Sequence, residues 1–383
     1  MNNPVVLFGS CNRQNLPQSH WDTMLQNHES ITSFLWLGDS VYPANHTIDA
    51  LAVAYSNLTN SMAYVNFISK VGVIDGILDD HDFGVNDGGR TVDNIGRRQN
   101  LFNNFLTFNQ KNTDAVSSNV LYHSTKFLSN ARVIFLDTRS YRDDHYIKSI
   151  GNYHFPFTAL AAAAIRGICS TLKLGISYNG DVLGESQWAW LENELKHSDS
   201  DFNIIVSSIQ IMTSNPMVES WGHFPNSKKR LFDLIKKYNP RGLLFLSGDV
   251  HHSEISTIKK HSSNNESIGS IAEITSSGLT HHCGNVLCPL MLSVFNSHRK
   301  SFNDYYIGKN YGSIKKLNET ALNISIYSLH DHKAKLSYVL HSDARAEPIN
   351  SITYSTFPTI YDTFLLPFVI LICTIVIFCK FKR

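Results

Sequence analysis

Charge is scarce in this chain: 17% of residues are charged, and 33 Lys and Arg against 32 Asp and Glu leave a formal net charge of +1. The basic residues are dispersed and there is no acidic tail, so the field that nucleic-acid binding draws on is missing. Cysteine is equally sparse. Six fall at positions 11, 169, 283, 288, 373 and 379 with no Cys-x-x-Cys pair. Cys283 and Cys288 therefore read as a small disulfide or two free thiols rather than half of a zinc site, despite the neighbouring His281 and His282. A Gly-x-Ser-x-Gly elbow is absent too, which argues against a serine hydrolase. Internal repeats and low-complexity tracts are also missing.

What the chain does have is enough apolar residues, 43% of 383, to bury a large core, and one large domain is expected. From Val5 to about Gly278 apolar runs alternate with longer amphipathic stretches, as in an α/β layered protein. Strands are expected at Arg132 to Asp137, Asn203 to Ser207 and Ser270 to Ile274. Helices are expected at Ile48 to Phe67, Ser186 to His197 and Ser227 to Tyr238. Ala159 to Leu174 reads as a helix of an insertion or lid, and Leu322 to Leu340 as a terminal β-hairpin turning near Asp331-His332.

Four short segments each end a hydrophobic run with metal-ligand chemistry. They are Val5 to Asn12 with Cys11, Phe34 to Tyr42 with Asp39 and Tyr42, Gly76 to Asp82 with Asp79-Asp80-His81-Asp82, and Leu243 to His252 with Asp249-Val250-His251. Ligands placed just past the carboxyl ends of buried strands converge on one edge of a sheet, which is how a dinuclear metal hydrolase is assembled. Carboxylate and phenolate are hard anionic ligands, and adjacent carboxylates repel unless a cation neutralises them. Taken singly, each feature has a plainer reading. A lone Gly-Asp is turn chemistry, Cys11 alone would be a core thiol, and Asp80 alone a helix cap. Their recurrence in order tips the balance. Spacing alone does not separate Fe³⁺ and Ca²⁺ from Mn²⁺ or Zn²⁺.

The ordered motifs Phe-Gly-Ser-Cys-Asn, Leu-Gly-Asp-x-x-Tyr, Asp-Asp-His-Asp followed by Asn86 and Asp87, Leu136 to Arg142, Leu183 to Leu191, and Ser-Gly-Asp-Val-His closely resemble the PhoD-like alkaline phosphatases, a branch of the metallophosphoesterases. Relative to typical metallophosphoesterases, Gly-Asp-x-x-Tyr replaces Gly-Asp-x-x-Asp, and Gly-Asp-Val-His replaces Gly-His-x-His. The resemblance implies a four-layer αββα sandwich over residues 1–341, holding Fe³⁺ with one or more Ca²⁺. Carried over by motif, Cys11, Asp39, Tyr42 and Asp249 would bind iron. Asp39, Asn86 and Asp249 would face calcium, with Asp80 as a further ligand. His81 would contact phosphate or protonate the leaving oxygen, a role for which His251 competes. In the mechanism Arg139, whose planar guanidinium suits a bidentate contact, would hold the equatorial oxygens, though Arg139 and above all Arg142 read equally as structural ion pairs. The implied activity is hydrolysis of phosphomonoesters or phosphodiesters by a metal-activated water. Alternatives are a phospholipase-like diesterase acting on lipid headgroups and an inactive surface interaction module; no protein partner is implied.

The end of the chain differs in composition. Residues 342–362 are polar and proline-bearing, as a linker would be, and Phe364 to Cys379 is uncharged and almost wholly apolar before Lys380, Lys382 and Arg383. A transmembrane helix over 363–380 with a cytoplasmic basic tail at 381–383 is expected, which puts the catalytic domain outside the cell or in a lumen. No signal peptide is seen ahead of the first strand, and the sequons at Asn45, Asn57, Asn265, Asn318 and Asn323 fit a lumenal domain without requiring one.

Overall fold

The computed structural model describes residues 4–108, 120–128, 130–151, 158–258, 271–285, 287–295, 298–299, 301 and 303–344. The amino-terminal half carries β1 (Val5–Gly9), α1 (His20–Asn27), β2 (Ile31–Leu37), α2 (Ile48–Thr59), α3 (Met62–Lys70), β3 (Val73–Ile77), α4 (Asp80–Phe83), α5 (Ile95–Phe108), β4 (His123–Phe127) and β5 (Ala131–Phe135). There follow α6 (Thr158–Thr171), α7 (Glu185–Lys196), β6 (Phe202–Ser207), α8 (Pro225–Tyr238), β7 (Leu243–Ser247), β8 (Ser253–Ile258), β9 (Ile271–Ser276), α9 (Leu287–Val294), β10 (Tyr305–Tyr306), β11 (Asn310–Asn318), β12 (Ala321–Ser328) and β13 (Ala334–His341).

These elements make a mixed α/β fold with two mixed sheets. One runs β13-β12-β11-β1-β2-β3, and the other β10-β8-β9-β7-β6-β5-β4. In the first, β1, β2 and β3 are parallel and β11 joins β1 antiparallel. In the second, β5, β6, β7 and β9 are parallel. Alternation along the strands decides which face meets what. Val6, Phe8, Leu35 and Leu37 point into a core shared with Val133, Phe135, Ile204 and Val206 of the other sheet. Val5, Leu7, Phe34 and Trp36 point the other way, onto Trp21, Leu51, Tyr55 and Phe67 from α1, α2 and α3. Both faces of these strands are buried, so the runs are continuously apolar.

The expected helix over Ile48 to Phe67 is two helices. Asn60 and Ser61 interrupt it, and Ser61 takes an extended conformation as the cap of α3. The other expected elements appear with shifted ends, and the terminal hairpin is β12 paired with β13. Cys283 and Cys288 form a disulfide. Among the described residues no helix is long and apolar enough to cross a membrane. The segment Phe364 to Cys379, where a span is expected, lies outside the described residues.

Candidate metal centre

The carboxyl ends of β1, β2, β3 and β7 meet at one place, and two glycines let them approach. Gly38 adopts φ +103°, and a Cβ there would stand 2.5 Å from that of Asp79. A Cβ on Gly248 would come within 2.6 Å of Ser10 Oγ and 2.7 Å of the Leu37 carbonyl oxygen. The Gly-Asp pairs are thus steric requirements of bringing two sheets to one point.

The side chains that follow converge. Cys11 Sγ lies 3.5 Å from Asp39 Oδ2 and 3.0 Å from Ser277 Oγ. Tyr42 donates its hydroxyl to Asp39 Oδ2 at 2.8 Å and sits 3.3 Å from His251 Nε2. The backbone N–H of His81 donates to Asp39 Oδ1 at 3.3 Å, and the His81 ring packs on Tyr42 with centroids 4.0 Å apart. Asp39, Asp79, Asp80 and Asp249 bring carboxylate oxygens within 4.8 Å of one another, as do Cys11, Asp39 and His251 with one ligand atom each. A cavity of about 220 Å³ is lined by Asp39, Asp80, His81, Asn86, Asp249 and His251, with Ala159, Ala163 and Arg166 of α6 across from them. The structure therefore brings Cys11, Asp39, Tyr42, Asp80, Asn86, Asp249, His81 and His251 to one site, and the segment read as an insertion or lid forms its far wall.

Arg139 is placed differently. It is fully buried, its Nε and Nη2 engage Asp79, and its Nη1 donates to Glu219 at 2.8 Å. It does not line the cavity, so the phosphate contact expected of it is not what this geometry supplies; it holds carboxylates in place. Arg142 is likewise spent on Glu219 at 3.1 Å and on the carbonyls of Asp87 and Gly88. Asp82 is structural, with its carboxylate accepting from the backbone of Asp79, Ser40 and Val41.

Electrostatics show what this cluster needs. Burial and then the charges of Asp80, Asp79 and Asp82 push Asp39 well above the carboxylate range. Asp249 is raised likewise, by burial and by Asp79 and Asp80. Burial and Asp39 raise the Cys11 thiol, and the same two causes raise the Tyr42 phenol. Burial lowers both His81 and His251. Asp79 Oδ2 and Asp80 Oδ1 are buried without a hydrogen-bond partner. In addition, Cys11, Asp39, Asp249 and His251 all adopt left-handed backbone, with φ of 62°, 52°, 69° and 59°. Such strain costs roughly 1–2 kcal/mol per residue and collects where a structure aims side chains for function. Thiol, phenol, imidazole and several carboxylates, convergent and short of positive charge, fit a bound cation, which would reverse the sign of every one of these carboxylate and thiol shifts.

The family profile described as PhoD-like phosphatase matches residues 98–297, just over half of the chain. The chain belongs to the PhoD-like phosphatase family. It is 27% identical over 146 residues to alkaline phosphatase D of Bacillus subtilis strain 168, a match covering 36% of this chain and 22% of that relative's length. The structure of PhoD superposes with a TM-score of 0.65 at 17% identity, covering 91% of this chain and 72% of that one. The purple acid phosphatase PPD1 from yellow lupin seeds gives a TM-score of 0.54 at 12% identity, covering 88% and 53%. At these identities the two structures show a shared fold.

Two residues of this PhoD-like site were not legible in the sequence. Glu219 is buried and gathers Arg139, Arg142 and His145, whose Nε2 stands 3.5 Å away. It lies in a loop with no apolar run before it, so no strand-end signal marks it. Arg166 donates to Asp87 Oδ2 at 3.1 Å and to the Met217 carbonyl at 3.0 Å while lining the cavity. Its signal was there to find: one arginine in the alanine-rich run Thr158–Thr171.

Proposed function

We propose that this chain hydrolyses phosphoric esters, monoesters or diesters, at a metal centre held by Cys11, Asp39, Tyr42, Asp80, Asn86 and Asp249. The observation that carries the reading is that ligand-bearing side chains from four strand ends converge, Asp39, Asp80, Asn86 and Asp249 lining one cavity, with Cys11, Asp39, Asp249 and His251 in left-handed backbone and the carboxylates of Asp39 and Asp249 unneutralised. Family membership and the likeness to two phosphatase folds support it. Hard donors such as Asp39, Tyr42 and Asp249 suit Fe³⁺ with Ca²⁺, and the same set accepts Mn²⁺ or Zn²⁺. When bound, such metals polarise phosphoryl oxygens and make a water acidic enough, with a pKa near ~7, to attack at neutral pH.

The chain's own groups do the rest. Burial keeps the imidazoles of His81 and His251 neutral, so each ring offers one N–H to a phosphoryl or leaving oxygen. Arg166 presents the guanidinium nearest the cavity and takes the phosphate-binding part first assigned to Arg139. Arg139, Arg142 and Glu219 fix the carboxylate shell from behind. Ala159 and Ala163, with their small side chains, leave room opposite the metal ligands. The apolar run Phe364 to Cys379 supports a tether to a membrane as part of the same proposal, and deletion after Asp362 is expected to release the protein.

The deciding experiment is hydrolysis of p-nitrophenyl phosphate and bis-p-nitrophenyl phosphate by the full chain, with metal content measured on the same sample. Turnover that is lost to chelation and returns with metal is the expected result. A folded, metal-loaded protein without turnover on either ester would overturn the reading.

A further inference from the structure

The helix α6 exposes an apolar face. Toward the protein it turns Ala162 and Gly167, both buried, and toward the cavity Ala159, Ala163 and Arg166. Of its large apolar residues only Ile165 is half-buried, in a second pocket; Leu160, Ile168 and, just past its end, Leu172 recur at four-residue multiples on one face and are 44%, 45% and 63% exposed. Across the same cavity α9 repeats the arrangement. Met291 lines the cavity and Leu292 is buried, while Leu287 and Leu290 are 48% and 44% exposed. Two helices bordering one mouth therefore each expose bulky apolar side chains to water beside the half-buried Ile165 and the buried Leu292.

Charge says what covers this rim. From His145 to Gly180, thirty-six residues, there is no Asp or Glu, and from Ile274 to Asn303, thirty residues, there is again none, although the chain has 32 acidic residues in 383. Within the first stretch Lys148 and Lys173 are the exposed basic side chains, whereas Arg166 is turned to Asp87 and, in the second, Arg299 is buried against Glu254. A protein partner recognised by apolar contact alone would not require acids to be cleared from the rim. An anionic lipid surface would, because it repels carboxylates and attracts lysines such as Lys148 and Lys173 around an inserted apolar face.

We propose that the α6 and α9 rim docks on an anionic lipid surface, bringing the cavity to phosphate esters carried on lipids. The second half of this statement rests on the function proposed above; the docking does not. The test uses the full chain with one tryptophan added at Leu172→Trp, and a control at Val53→Trp, an exposed apolar position on α2. Each is mixed with phosphatidylglycerol vesicles, with phosphatidylcholine vesicles, and with phosphatidylglycerol vesicles bearing brominated chains. A blue shift and bromine quenching at position 172 with the anionic vesicles, and neither at position 53, is expected even if the carboxyl-terminal segment binds every vesicle. Equal insertion into phosphatidylcholine overturns the charge argument. A shift at 172 that tracks protein concentration without lipid makes the face a contact between copies and overturns the proposal, as does no shift at all.

Hydrolysis of dihexanoyl phosphatidic acid and dihexanoyl phosphatidylglycerol below and above their micelle concentrations tests the substrate class. A rate that climbs at least severalfold on micelle formation supports it. Turnover of p-nitrophenyl phosphate without turnover of either lipid overturns that part alone, and loss of all turnover falls on the proposed function while the insertion result still stands.

Discussion

Cys11 Sγ lies 3.5 Å from Asp39 Oδ2, although the two residues follow different strands, and both hold left-handed backbone. Together they aim a thiol and a carboxylate at one point. Asp39→Asn keeps the shape and removes the charge. It is expected to lower turnover of p-nitrophenyl phosphate by at least about 100-fold, with metal content falling in parallel and the circular dichroism spectrum unchanged. Unaltered turnover would remove Asp39 from the metal centre.

Glu219 holds two buried guanidiniums, Arg139 and Arg142, and removing one partner of a buried ionic cluster leaves uncompensated charge. Glu219→Gln is expected to destabilise the fold by about 3–5 kcal/mol, the range for breaking a buried pair. Urea unfolding of the two proteins measures it. A change below about 1 kcal/mol would mean that water or a neighbouring carboxylate takes over, and that Glu219 is not the keystone of this shell.

Much of this architecture was written in local pattern. The runs ending at Cys11, Asp39 and Asp249 are buried strands because β1, β2 and β7 meet apolar partners, so hydrophobicity and ligand position could be read together; β3, ahead of Asp79, is an edge strand that carries Asp75. The terminal hairpin showed in its alternation. What escaped reading was decided by tertiary contact. Arg139 follows a strand end just as Asp39 does, yet Asp79 and Glu219 close over it, and nothing in the local sequence announces a loop carboxylate arriving from eighty residues away. Ala159 to Leu174 read as a helix, but which of its faces met the site depended on where the chain returned.

Arg166 is the cationic side chain of α6 that lines the cavity, tied to Asp87 at 3.1 Å. If it clamps phosphoryl oxygens, Arg166→Ala is expected to reduce kcat/KM by roughly 10- to 100-fold, and Arg166→Lys to recover only part, since lysine lacks the planar fork. A purely structural Arg166 would lower thermal stability without this split between the two variants. Steady-state kinetics and melting of both proteins separate the cases.

Away from the site, His123 Nε2 pairs with Asp75 Oδ1 at 2.8 Å on the edge of the two sheets. Burial alone would lower this half-buried histidine, but the charge of Asp75 and the hydrogen bonds to it and to the Leu121 carbonyl raise it above its ordinary value of 6.5. A raised value means that the folded state binds the proton more tightly than the unfolded one. The stabilisation is therefore complete below about pH 6.5 and is lost as pH climbs through the folded value. The melting temperature of Asp75→Asn is expected to lie below that of the unaltered protein at pH 6 and to approach it by pH 8.5. A constant gap would assign the difference to packing.

Metal removal should show the opposite dependence to a simple loss of packing. Without a cation, Asp39 and Asp249 prefer the protonated form in the folded state, first because they are buried and then because carboxylates crowd them. Raised carboxyl values favour the fold at low pH, and that advantage falls away as pH rises above the unfolded value near ~4. A bound cation neutralises the same cluster, and it competes with protons for those oxygens. The chelated protein is thus expected to lose stability steadily from pH 5 to pH 8 while the metal-loaded protein does not, so the gap between their melting temperatures widens with pH. If the gap is constant, or closes toward pH 8, the cluster is a network of shared protons rather than a cation site, and the chemistry proposed for it would have to begin from its histidines.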